Sequence, residues 1–151
     1  MKILFVCHGN INRSAAGEII LQKFKPDWEI KSAALKDTNG GEITAKKMRL
    51  ALTEKGFPTN GIRSTPISKE LVDWADVIFY MDDSNEKRLF SKFGVDASKK
   101  SIRISSLIGE EKIPDPNFAK DNELHKKVID MLVNALTIYI NDGATNPWII
   151  E

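Results

Sequence analysis

The stretch Val6-Cys7-His8-Gly9-Asn10-Ile11-Asn12-Arg13-Ser14 follows directly on the apolar run Ile3-Leu4-Phe5-Val6 and constrains this chain more than any other feature. A short, nearly continuous apolar run from Lys2 to Val6, ended by a Gly-Asn turn signal, predicts a central strand buried on both faces of a parallel sheet. The chain's only cysteine closes that strand, an arginine follows after five intervening residues, and a hydroxyl residue comes next. Five residues are enough to curl the backbone so that successive N–H groups point inward, a nest for the three oxygens of a phosphoryl group. A helix starting after the loop would add its positive end. The segment therefore reads as a grip for a phosphate or another oxyanion, formed by His8, Gly9, Asn10, Ile11, Asn12, Arg13 and Ser14.

Each residue type has its own chemical reason to be there. The field of such a nest favours thiolate over thiol at Cys7 and makes it a nucleophile. Arg13 offers a planar fork that can hold two phosphate oxygens while charge shifts onto them; lysine would hold one. Gly9 and Asn10 tolerate the positive φ that a tight cup calls for. Ser14 can donate its hydroxyl to the Cys7 sulfur or cap the helix. Taken singly, Cys7 fits a buried free cysteine at a strand end and Arg13 a surface charge; their combination points to oxyanion binding. The His8 side chain is expected to point outward.

The rest of the chain supports one domain over 1–151. Its 151 residues, 42% of them hydrophobic, suffice for one packed core. Lys and Arg total 22 against 21 Asp and Glu, so no basic surplus suggests nucleic acid as a partner. One cysteine excludes an intrachain disulfide, and the N-terminal apolar run is too short for a signal peptide or membrane span. A monomer in a reducing, cytoplasmic compartment is expected.

Along the chain, Ala16, Ile20 and Phe24 recur at helical spacing from Ala15 to Phe24, with Pro26 as the stop. Trp28 to Ala33 reads as a second strand and Lys36 to Gly41 as a polar loop. Ala45, Met48 and Leu52 share a helical face that Gly56 closes, with Lys46, Lys47 and Arg49 solvated. Gly61 to Pro66 is a linker in which Arg63 lies at the surface, and Ser68 caps a short helix through Trp74. Asp76 to Met81 is a third strand, Asp82 to Phe93 a helix, and Ser101 to Ile104 a short fourth strand. Asp121 or Asn122 opens a last helix whose packed face is Leu124, Val128, Met131, Leu132, Ala135 and Tyr139, with His125 on its exposed side and Gly143 at its end. Trp28, Trp74 and Trp148 read as packing residues. Strands alternating with helices argue for a doubly wound α/β domain, a four-stranded parallel sheet flanked by helices. Ligands in such sheets bind where the winding reverses, beyond strand carboxyl ends.

A phosphatase using Cys7 needs an acid that protonates the leaving oxygen and then, as base, activates water. Asp115, in Ile113-Pro114-Asp115-Pro116-Asn117-Phe118, lies in a loop stiffened by two prolines. Asp-Pro is also ordinary turn chemistry. Two histidines and one cysteine far apart make no metal-ligand pattern, and no nucleotide-binding G-x-x-x-x-G-K-[ST] loop occurs, so no cofactor is expected.

The Val6 to Ser14 stretch resembles the signature of the low-molecular-weight protein tyrosine phosphatases. That family is similar in length, places this loop at the extreme N-terminus and carries its general acid in an Asp-Pro pair late in the chain, as in Asp115-Pro116. Ser32-Ala33-Ala34 resembles the end of its second strand, and Ala75 to Asn85 its third strand and following helix. The resemblance implies Cys7 as nucleophile, Arg13 as transition-state clamp, Ser14 as thiolate partner, Asn10 as loop stabiliser and Asp115 as general acid. It implies hydrolysis of phosphomonoesters through a phosphocysteine, with phosphotyrosine in proteins, or a small aryl phosphate, as substrate.

Three positions depart from the family pattern. A second cysteine often precedes the arginine and can form a reversible disulfide; here it is Asn12, so Cys7 should oxidise further and less reversibly. The proline that commonly follows Arg-Ser is Ala15. The aromatic that usually follows Asp-Pro and walls the pocket is Asn117, with Phe118 next, and the Lys36 to Gly41 loop offers no aromatic either. A phosphotyrosine ring would lose about 1 kcal/mol for each missing stacking partner. Ile11 matches the tyrosine phosphatases of the family, where a threonine is associated with phosphoarginine phosphatases. The alternatives are a non-catalytic oxyanion-binding module, a phosphoarginine phosphatase, and an arsenate reductase, whose thioredoxin-coupled cascade needs further cysteines.

Overall fold

The computed structural model describes residues 1–143; the Trp148 expectation lies outside them. Strand β1 (Lys2–Cys7) is central because its residues are apolar on both sides: Ile3, Leu4, Phe5 and Val6 are all completely buried. At about 1.5–3 kcal/mol for each buried large apolar side chain, this run anchors the core. It pairs in parallel with β2 (Glu29–Ala34), Lys2 opposite Glu29 through Cys7 opposite Ala34, and on its other edge with β3 (Val77–Tyr80). β4 (Ser101–Arg103) adds beyond β3, giving the order β2-β1-β3-β4. The winding thus reverses at β1, which places Cys7 at the switch point.

Alternation along β1 divides the core. Ile3, Phe5 and Cys7 face α1 (Arg13–Phe24), α2 (Lys46–Glu54) and, below, the long C-terminal helix; Leu4 and Val6 face α3 (Lys69–Trp74), α4 (Asp83–Phe93) and the single turn α5 (Val95–Ser98). A 3₁₀ turn, Ile104–Ile108, follows β4, and α6 (Glu123–Ile138) closes the first face. Phe5 stacks on Phe79 at 5.4 Å, and the Tyr139 ring meets Phe79 edge-on at 5.0 Å. Gly17 lets α1 approach β1: a Cβ there would lie 2.6 Å from the Phe5 ring. No helix among the described residues is long and apolar enough to cross a membrane.

Several boundaries differ from the sequence expectation for local reasons. Helix α1 begins at Arg13 rather than Ala15, with Asn12 at its N-cap position, so Ser14 lies inside the first turn and caps nothing. Asp82 is a cap, accepting from the Asn85 N–H at 2.8 Å, so α4 starts one residue later. Asn122 takes the N-cap position of α6, while the Asp121 carboxylate just before it accepts from the Glu123 N–H at 3.0 Å. Beyond Ile138 the chain widens into a π turn, Tyr139–Gly143, so the α-helix stops before Gly143. His125 is a correction: it is buried, 2% exposed, because His125, Val128, Ile129, Leu132 and Leu136 form the inward stripe of α6. Burial pushes its imidazole pKa down, the Lys47 charge adding to this and Asp115 and Asp121 opposing it.

Candidate active site

The loop after β1 curls into a cup of about 60 Å³ lined by residues 7–13 with Lys36, Asp115 and Asn117. Its curvature is set at Asn10, the one cup residue in the left-handed region, at φ 58°. Gly9, expected to share that role, has an ordinary φ, and a Cβ on it would meet only normal contacts. Its absence of a side chain keeps the rim open rather than permitting a turn.

Cys7 is buried at the base of this cup, 3% exposed. Its Sγ accepts from the Asn10 N–H at 3.3 Å and the Ser14 N–H at 3.5 Å, and lies 3.0 Å from the Ser14 hydroxyl. The direction of that last bond follows from a chain of hydrogen bonds. Asn10 Oδ1 accepts from the Thr65 N–H at 3.0 Å, which fixes the amide orientation, since a backbone N–H can only donate. Asn10 Nδ2 must then give its two hydrogens to Ser14 Oγ, at 2.8 Å, and Ser32 Oγ, at 2.9 Å. Each hydroxyl is left to donate onward: Ser14 to the Cys7 sulfur, Ser32 to Glu18 Oε1 at 2.8 Å. Three donors thus converge on the sulfur, an arrangement suited to a thiolate. Burial raises the Glu18 carboxyl pKa, and the bonds from Ser32 offset part of that rise.

Arg13, 2% exposed, is fixed from one side. Its Nη1 donates to Asp82 Oδ2 at 2.7 Å and to the Ile113 carbonyl at 2.9 Å, which uses both hydrogens on that nitrogen. The Nε–Nη2 edge of the guanidinium is left for a ligand, and that edge presents two parallel donors. Burial alone would raise the Asp82 carboxyl pKa, but hydrogen bonds from Arg13 and the Asn85 N–H, with the charge of Lys112, hold it below the usual carboxylate range.

Asp115 stands at the mouth, its Oδ2 3.8 Å from Arg13 Nη2. The Ile113 N–H bonds to the Met81 carbonyl at 2.9 Å, tying its loop to the end of β3. Asp115 Oδ1 accepts from the Asn117 N–H at 3.0 Å, the Ala119 N–H donates to the Pro116 carbonyl at 3.0 Å, and the Lys47 ammonium donates to the Ala119 carbonyl. Asn117 lines the cup. Phe118, expected as a second wall residue, does not: it sits at positive φ, 72°, and is 96% exposed, because this backbone turn directs it away from the mouth. Ser14 lies under the sulfur rather than on the lining, and His8 is exposed at the rim. Larger hollows elsewhere among the described residues, such as one of about 470 Å³ between Ile108, Glu111 and Met131, contain no cysteine.

Sequence reasoning had no role for Asp82, Ser32, Glu18, Thr65 or Lys36. Asp82 carried a signal as a capping aspartate directly after a buried strand; Ser32 and Lys36 reach the site through the parallel pairing of β1 with β2, Glu18 comes from α1 onto Ser32, and Thr65 from the segment bonded to Ala34 on the far edge of β2.

Comparison with known proteins follows the same lines. The chain is 30% identical over 134 residues to a protein-arginine-phosphatase of Geobacillus stearothermophilus, covering 87% of this chain and 88% of that one. It is 30% identical over 132 residues to the low molecular weight phosphotyrosine protein phosphatase of Sus scrofa, covering 81% and 83%. A crystal structure of a protein tyrosine phosphatase from Entamoeba histolytica, with Hepes in its active site, superposes with a TM-score of 0.85 at 27% identity over 95% of this chain and 99% of that one. The family model of the low molecular weight phosphotyrosine protein phosphatases spans residues 2–143, taking in the cup, the sheet that reverses beside it and the Asp115 loop. The chain belongs to that family.

Proposed function

We propose that this protein hydrolyses phosphomonoesters through a phosphocysteine intermediate, with phosphotyrosine in proteins as its substrate. The observation that carries the reading is the Cys7 sulfur, held by three donors at the base of a cup whose mouth holds Asp115 and whose wall is the open edge of Arg13.

In this reading the phosphoryl oxygens occupy the loop N–H groups and the Nε–Nη2 edge of Arg13. The Cys7 thiolate attacks phosphorus in line with the leaving oxygen. As the S–P bond forms and the P–O bond breaks, Asp115 in its acid form gives its proton to the departing phenolate. The Asp115 carboxylate then takes a proton from water, whose oxygen attacks phosphorus. The S–P bond breaks, inorganic phosphate leaves and the thiolate returns to the Ser14 hydroxyl. Ile11 places an apolar side chain on the cup rim, which suits an aryl ring better than the N–H-rich guanidino group of phosphoarginine. Stacking support is thin, since no aromatic side chain among the described residues lines the cup.

The test is phosphate release from a small aryl phosphate, with chelator present, followed between about pH 5 and 7. Turnover by the wild type and none by Cys7→Ser supports the reading. Phosphate binding without turnover would instead favour the oxyanion-binding module.

A further inference from the structure

We infer that Lys36 is a specificity-determining residue, selecting phosphorylated residues that carry an acidic side chain beside them in the sequence. This rests on the phosphatase reading above and names the substrate class within it. The Lys36 N–H donates to the His8 carbonyl at 3.0 Å, continuing the β1–β2 ladder past its last pair, Cys7 and Ala34. Lys36 is thereby fixed to the rim by its backbone. Its Nζ stands 3.9 Å from the point a Cβ on Gly9 would occupy, so the ammonium hangs over the phosphate loop itself.

Among the described residues this ammonium has no firm partner at the mouth. Arg13 is matched by Asp82 and faces the phosphoryl position. The carboxylate paired with Lys36 is Glu42, 3.8 Å away, beyond hydrogen-bond reach, and its side chain is more than half exposed. Among the described residues Lys36 is the only lysine lining the cup, and no aromatic side chain competes for the leaving group there. On its other side Lys36 lines a second hollow of about 500 Å³ together with Thr38, Asn39 and Lys92, in which Asp37 is the only acid. A substrate whose phosphoryl group fills the cup therefore runs out past one cation toward another. A carboxylate next to the phosphorylated residue meets Lys36 as it enters; a cationic neighbour is repelled.

The experiment compares kcat/KM for phosphotyrosine peptides that differ only in Glu or Gln at the flanking positions. At low ionic strength the wild type is expected to favour the Glu peptide by up to about fivefold, the upper end of the range of a solvent-exposed ion pair, and to lose that preference as salt screens it. Lys36→Gln brings the ratio to one. Glu42→Gln, which removes the competing carboxylate at an exposed position, raises it. Equal kcat/KM for the two peptides with the wild type overturns the inference alone. So does an equal slowing of both peptides by Lys36→Gln, which would mean that Lys36 serves the phosphoryl group. Absence of turnover on every peptide and on aryl phosphate overturns the phosphatase reading, and this inference with it.

Discussion

Arg13 Nη1 and Asp82 Oδ2 lie 2.7 Å apart, joining the first residue of α1 to the residue that caps α4 across the carboxyl end of the sheet. The pair fixes which edge of the guanidinium faces the cup. Asp82→Asn keeps a capping side chain but takes from buried Arg13 its hydrogen-bonded counter-charge, leaving only the more exposed Asp115 carboxylate 3.8 Å away. Removing one partner of a fully buried pair costs about 3–5 kcal/mol, and the partial exposure of Asp82 brings the expectation down to about 2 kcal/mol. Because the folded-state pKa of Asp82 is lowered, its contribution is present above the unfolded carboxylate range and lost as pH falls through the folded value. Urea titrations should therefore show the wild type more stable than Asp82→Asn at neutral pH, with the gap closing in acid. A gap that stays constant into acid would sink this account.

Ser14 is the donor that completes the ring around the Cys7 sulfur. A hydrogen bond to a charged group is worth about 1.5–3 kcal/mol, so Ser14→Ala should lower kcat/KM by about tenfold or more and slow alkylation of Cys7 by iodoacetamide at pH 6. The alanine would also leave one Asn10 hydrogen without its acceptor. An alkylation rate equal to the wild type's would show that the hydroxyl does nothing for the thiolate.

Glu18 titrates with the opposite sign. Burial raises its folded-state pKa above the unfolded value, so its contribution to stability is full at low pH and is lost as pH rises through the folded value. Glu18→Gln removes that dependence while leaving an acceptor for the Ser32 hydroxyl. The variant should melt at a higher temperature than the wild type at neutral pH and at an equal temperature near pH 4. Melting curves across this range decide it; a variant less stable at pH 7 would show that the carboxylate charge supports the Ser32 bond more than burial opposes it.

Gly17 is the point of closest approach between α1 and β1. Gly17→Ala must push the Phe5 ring off its stack on Phe79, because the new Cβ would overlap that ring. Overpacking of this kind costs about 1–3 kcal/mol, outweighing alanine's better helix propensity. A rise in the denaturation midpoint would mean that the ring slides aside without loss.

What could be read from the sequence was what short-range chemistry dictates. The apolar run through Val6, the Cys7-to-Arg13 spacing and the strand at Val77 to Tyr80 each carry their meaning in a few adjacent residues, and the order of strands and helices followed. Asp115 was a candidate from its proline-flanked loop, where Asp-Pro is also ordinary turn chemistry, and the resemblance implied its role as general acid. Other features depend on contacts distant in sequence. Asp82 reaches Arg13 across 69 positions, Ser32 meets Asn10 across 22, and Lys36 reaches the rim only because β2 pairs with β1 in that register. His125 was misplaced for a different reason: a polar residue on the inward stripe of α6 breaks the apolar pattern that marks the stripe, so the periodicity points one residue aside. Phe118 was expected on the wall from its place just past Asp115-Pro116, where the resemblance implies an aromatic, and a single left-handed backbone angle turns it outward.

Asp115 is the residue whose proposed role is most sharply testable by leaving-group chemistry. Proton donation matters most when the departing oxygen is a strong base, and little when it leaves readily as an anion. Asp115→Asn keeps an oxygen that can accept from the Asn117 N–H at the loop's turn, so the loop should stay in place. Its kcat/KM should fall by about 10²–10⁴ for alkyl or weakly acidic phenyl phosphates, the usual range for general acid catalysis, and by much less for nitrophenyl phosphates. Rate-limiting breakdown of the phosphocysteine would add a constant factor to kcat, because the same carboxylate activates water; kcat/KM isolates the first step. A loss independent of leaving-group pKa would remove Asp115 as the acid and leave it the electrostatic neighbour of Arg13 that its 3.8 Å separation already makes it.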